Sequence, residues 1–162
     1  MHRSGIVRVL LSAVFVLAVA GRGAGADQPA VALPPGVKAV WDLARAFRET
    51  TPTRQRICVN GLWRWQPAEA EAGQVPTGNW GYFKVPGSWP GITDYMQKDS
   101  QTVHAHPGWA GRRLGDVMAA WYEREVAIPA DWAGRRIAIC IEYLNSYAAV
   151  YVDGNKAGEA RF

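Results

Sequence analysis

Cysteine is scarce in this chain: 162 residues hold only Cys58 and Cys140, and no CxxC pair occurs. Zinc ribbons, redox dithiols and disulfide-dense mini-scaffolds are thereby excluded. A glycine-rich nucleotide fingerprint and an internal repeat are also missing. The longest apolar run, residues 9–20, is interrupted only by Ser12. As a helix it would reach about 18 Å, short of a hydrocarbon core of about 30 Å. A chain of this length leaves no room for a (β/α)8 barrel, which takes about 250 residues.

What is present reads as one globular domain. The 18 Lys and Arg face 14 Asp and Glu, with 49% apolar and 20% charged residues, an ordinary globular balance. Eight Trp, six Tyr and ten Pro are the unusual counts. They fit a β-rich fold with aromatic packing, or surfaces that stack on sugar rings, better than a helical bundle.

The N-terminus has the layout of a secretory leader. His2, Arg3 and Arg8 form a basic start, the apolar run follows, and Ala24-Gly25-Ala26 supplies small residues for a signal peptidase. The expectation is a signal peptide over 1–26, cleaved near Ala26, and export to the periplasm or the extracellular space. No membrane association is expected after cleavage. Without 1–26 the balance is 15 basic against 14 acidic residues. No clustered basic face remains, so nucleic acid is excluded as a partner. Export would permit a Cys58–Cys140 disulfide. Both thiols, however, sit in strand-like apolar runs, where a free Cys behaves as a small hydrophobe.

Residues 27–39, rich in Ala and Pro, read as a flexible leader before a domain over 40–162. Apolar residues at 40, 43, 44 and 47 have helical spacing, and this stretch reads as a short helix or a turn. Thereafter the pattern is β. Residues 56–60 are a short apolar run closed by Asn60-Gly61. In 62–65, LWRW, alternation sends both indoles to one face. Residues 80–85 are strand-like up to Pro86-Gly87, and 121–128 up to Pro129. Residues 135–142 put Ile137, Ile139 and Ile141 on one face. Residues 147–152 lead into Asp153-Gly154, a hairpin turn signal, and 156–162 read as the returning strand. The long polar stretch 88–120 is either functional or holds unrecognised structure. Strands at this spacing predict an all-β sandwich.

Four segments in order, ICVNGLWRW (57–65), VPGSW (85–89), WYEREVAIPADWAG (121–134) and AVYVDGNKAG (149–158), resemble the N-terminal sugar-binding domain of glycoside hydrolase family 2 proteins. That family includes β-galactosidases, β-glucuronidases and β-mannosidases. The resemblance covers most of 40–162 and implies a jelly-roll β-sandwich of the galactose-binding-like type. Asp153 stands where the family usually has Asn; both tolerate the turn geometry. The family's domain runs on through further strands and then a catalytic barrel. The chain is therefore expected to be incomplete at the C-terminus, as a truncated product or a fragment.

The resemblance implies carbohydrate, a β-glycoside or oligosaccharide, as the partner, with a catalytic barrel domain absent from this chain. It makes Trp89, Asp94, Tyr95, His104, His106 and Trp109 the sugar-contact candidates. The alternative is that Trp89 is core and the others loop surface. No catalytic residues are assigned. Glu123 and Glu125 share a strand face, but nothing in the sequence offers them a cleft or raises one pKa. The pair His104 and His106 falls short of the three or four ligands a metal site needs. Neither metal nor cofactor is expected. A structural or docking sandwich that binds no sugar is the second reading.

Overall fold

The computed structural model describes residues 4–12, 31–68, 74–89 and 102–161. Among them the architecture is all-β, with no helix beyond short 3-10 turns. The strands are β1 (Ser4–Ser12), β2 (Arg48–Thr50), β3 (Gln55–Ile57), β4 (Gly61–Ala68), β5 (Gly81–Val85), β6 (Val103–His104), β7 (Ala119–Ala127), β8 (Tyr147–Val152) and β9 (Asn155–Arg161). Seven of them form one sheet in the order β6-β5-β4-β7-β1-β8-β9, and β2 pairs with β3. Every ladder is antiparallel.

The residues expected to form a leader contribute to this sheet. β1 lies between β7 and β8, with Leu10 opposite both Trp121 and Ala149. The β8–β9 hairpin has β1 as its ladder neighbour on the far side from β9.

Alternation decides the two faces. Trp63 and Trp65 are buried, while Arg64 between them is exposed. Register places Trp63 opposite Phe83 and Trp65 opposite Tyr122, so these rings share the core face. Trp65, with no exposed surface, is the hub. Phe83, Trp89, Trp109 and Tyr122 all approach it, with ring centroids 5.4–6.4 Å away and mostly edge-on. Gly81 makes room for this cluster, because a Cβ there would stand 2.4 Å from the His104 carbonyl oxygen and 2.6 Å from the Trp109 ring. The Asp153-Gly154 turn has φ of 50° and 82°, the doubly positive geometry that a two-residue hairpin favours.

One expectation, the strand over 135–142, is corrected, and two open readings are resolved. Residues 40–48 take the turn alternative, leading into β2, and not the helix. Val40 and Phe47 are exposed, so the helical stripe has no surface to pack on and propensity yields to tertiary context. Residues 135–142 form no strand, and Ile137 and Ile139 are exposed. Among the described residues no neighbouring strand pairs with this segment, and alternation without a ladder does not make a strand. The stretch 88–120 contains β6 and 3-10 turns at Pro107–Trp109 and Leu114–Asp116, which explains its length. Cys58 is half-buried, Cys140 is exposed, and both are free thiols.

Replacing Trp65 by Ala removes the ring that four other aromatics contact. The expected loss is about 3–5 kcal/mol of unfolding free energy, read from urea denaturation of the full chain. Trp65→Phe should lose clearly less.

Candidate binding face

On the face opposite the aromatic core, register aligns a row of polar residues across the sheet. Tyr82 of β5 stands opposite His104 of β6 and Arg64 of β4. Arg64 stands opposite Glu123 of β7. Across β1, whose residue 8 is the register position opposite both Glu123 and Tyr151, the row resumes at Tyr151 of β8 and Lys156 of β9. Six strands thus contribute six hydrogen-bonding side chains in register. At a strand spacing of about 4.8 Å, the line from Tyr82 to Lys156 is about 24 Å long.

The centre of the row is an ion pair. The Arg64 guanidinium bonds the Glu123 carboxylate and also lies over the Trp80 ring, 5.1 Å from its centroid. The Glu123 side chain is 3% exposed and that of Arg64 44% exposed. One end of the pair is therefore dry and the other reaches solvent. Tyr82 and Tyr151 are half-buried, and Lys156 is exposed. Trp121, two residues from Glu123 on the same strand face, packs against Tyr151 with centroids 6.2 Å apart. The partly exposed Arg64 guanidinium and the half-buried Tyr82 and Tyr151 phenols can hydrogen-bond hydroxyls or a carboxylate and present ring faces for stacking.

Of the six sequence-predicted contacts, His104 alone stands in this row among the described residues. Trp89 is half-buried against Trp65, and its indole N–H donates to the Val117 carbonyl at 2.8 Å. Trp109 is buried, and its N–H donates to the Asn79 carbonyl at 3.1 Å. His106 is buried and caps the turn that carries Trp109, its Nδ1 accepting from the Gly108 N–H at 3.0 Å. His104 is buried at the end of the polar row, and burial pushes its pKa below the usual imidazole value. Asp94 and Tyr95 lie outside the described residues. Four of the candidates therefore line or cap the interior, as the core alternative for Trp89 had it. Arg64, Trp80, Tyr82 and Tyr151 were not singled out from the sequence. The LWRW alternation held the signal for Arg64, since it sends that residue to the face opposite the indoles.

Glu123 and Glu125 share their strand face, but Glu123 is buried and committed to Arg64, while Glu125 is exposed. On the core face, Arg124 donates to the carbonyls of Asn60, at 3.1 Å, and Leu62, and lies over Trp63. Burial lowers its pKa to about 10. Burial likewise raises the Tyr122 phenol well above its ordinary value. Among the described residues, no group of three or more His, Cys, Asp and Glu could hold a metal ion. A concavity of about 50 Å³ is lined by residues including Arg48, Gln55, Arg56 and Trp132, none of them in the row. It is smaller than the usual ligand cleft of about 300–1,000 Å³. The chain matches no family model, no curated protein and no solved structure.

Two measurements check this electrostatic layout. Arg64→Ala withdraws a cation from a buried carboxylate and is expected to destabilise the chain by about 1–3 kcal/mol, with solvent exposure of Arg64 keeping the loss below that of a fully buried pair. The Arg64→Ala, Glu123→Gln double variant should recover much of that loss in a double-mutant cycle by urea denaturation. The His104 pKa is depressed on folding, so its contribution is complete above the unfolded value of about 6.5 and is lost as pH falls below it. His104→Gln should flatten the decline in unfolding free energy between pH 7 and pH 5.

Proposed function

We propose that this chain is an exported, non-catalytic carbohydrate-binding module, the N-terminal piece of a protein similar to glycoside hydrolase family 2. One observation carries the reading. Each of the four segments that resemble the family contributes to one sheet: β4, the end of β5 with the turn after it, β7 and the β8–β9 hairpin. Segments scattered over a hundred residues of chain thus serve a single construction. The seven-stranded sheet is read as one layer of the jelly-roll sandwich, with β2 and β3 as part of the other. The leader pattern over 1–26 supports export.

The polar row is the proposed sugar-contact surface. Arg64, Tyr82 and Tyr151 offer donors and ring faces to a β-glycoside or an oligosaccharide lying across the strands. Hydrolysis with retention needs two carboxyl groups about 5–5.5 Å apart, one of them free to act as nucleophile. Glu123 is engaged by Arg64, so bond cleavage is assigned to a barrel domain outside this chain. One observation favours the second reading, a docking sandwich without sugar: Trp109, His104 and His106 are buried and Trp89 half-buried.

Titration of the full chain with galactose, glucuronic acid, mannose and plant oligosaccharides, followed by tryptophan fluorescence, separates the two. Saturable binding is expected, weakened about tenfold by Tyr82→Ala, a loss of about 1.4 kcal/mol, with no turnover of chromogenic β-glycosides. Silence across the sugar panel would favour docking.

A further inference from the structure

β7 and β8 are each antiparallel to β1 and so run parallel to one another. Ser4–Ser12 pairs along its whole length with β7, and Val7–Ser12 pairs with β8 as well. The segment 1–26 is also the part of the sequence with a leader's layout. Its removal would open two ladders at once, inside the sheet and not at its edge, leaving a slot two strand spacings wide, roughly 9.5 Å.

The slot's walls are built for a strand. At register positions beside it stand Ala119, Ala120, Trp121 and Tyr122 of β7 and Ala148 and Ala149 of β8, all buried. Backbone N–H and C=O groups at such positions need partners. Direct pairing of β7 with β8 would require a parallel ladder and a shift of the β8–β9 hairpin by about 4.8 Å. That shift would have to carry Tyr151 past Trp121, against which it packs.

We infer that the slot between β7 and β8 is a strand-binding site. β1 fills it in the full chain. Once the leader has been removed, it takes an extended segment of a partner, at least as long as Val7–Ser12 and antiparallel to both walls. That segment follows the pattern of Ser4–Ser12, apolar on either side of a single basic residue at the register position of residue 8. Main-chain hydrogen bonds provide the affinity, and side-chain alternation sets the register. The slot crosses the proposed sugar face between Glu123 and Tyr151, but strand binding there is read without any sugar. The leader reading bears only on when the slot opens.

The test uses the full chain with a specific protease site inserted between residues 20 and 30. The folded protein is nicked and challenged with a fluorescent peptide of residues 4–12 carrying solubilising lysines at its ends. Saturable exchange of the peptide for the nicked fragment, read by anisotropy, is expected. A Val9→Pro peptide, which lacks a central N–H donor, should compete at least tenfold less well, and an Arg8→Glu peptide should also be weaker. If release of the fragment causes aggregation, the parent peptide should prevent it and the proline peptide should not. Equal competition by the proline peptide overturns the proposal. So does aggregation that the parent peptide leaves unchanged, or a nicked chain that stays folded without its fragment and takes up no peptide. The mass of the chain secreted by an exporting host reads the leader expectation independently.

Discussion

The double ladder of β1 is the constraint on which the large sheet depends. Without a strand between them, β7 and β8 would have no shared neighbour, and the β8–β9 hairpin would lose its ladder to the rest of the sheet. A backbone ladder tolerates many side-chain sequences, which is why a segment with the composition of a leader can occupy the position. Ser4–Ser12 thus forms an extended strand whose flanks, Ala119-Ala120 of β7 and Ala148-Ala149 of β8, are alanine-rich.

The aromatic cluster around Trp65 fixes how the remaining strands meet. Phe83 and Tyr122 come from strands on either side of β4, and Trp89 and Trp109 come from outside the strands. Large rings in edge-on contact hold a defined geometry. Gly81 permits that geometry by leaving space for the Trp109 ring. The arrangement draws into the interior the indoles that a sugar platform would need at the surface. The polar row then lies on the opposite face, where Arg64 and Tyr82 alternate with the buried rings of their own strands.

Much of the β architecture was legible in the sequence. Strong alternation in LWRW, the Pro-Gly stop after Val85 and the Asp153-Gly154 turn each act locally, so the sequence alone reveals them. The isoleucines of 135–142 mislead because an alternating strand still needs a neighbour to pair with, and pairing is a long-range property. The stripe at 40–47 misleads for a related reason, since a short amphipathic helix needs a surface to pack on. The site was harder to read. Trp and His next to Gly and Pro suggest a loop surface, and only the register shows that His104 ends a cross-sheet row and that His106 caps a turn. Arg64 and Glu123 are 59 positions apart in the chain and meet only through the pairing of β4 with β7.

β9 is exposed at every position from Asn155 to Arg161 and forms an outer margin of the seven-stranded sheet. An uncovered margin invites another chain to continue the pleat. Here it carries Lys156, Glu159 and Arg161. Lys156 bonds Glu159, and Arg161 lies over the Tyr147 ring. A strand arriving there would have to strip water from these groups, so the most open flank of the molecule is also guarded against fibrous self-stacking.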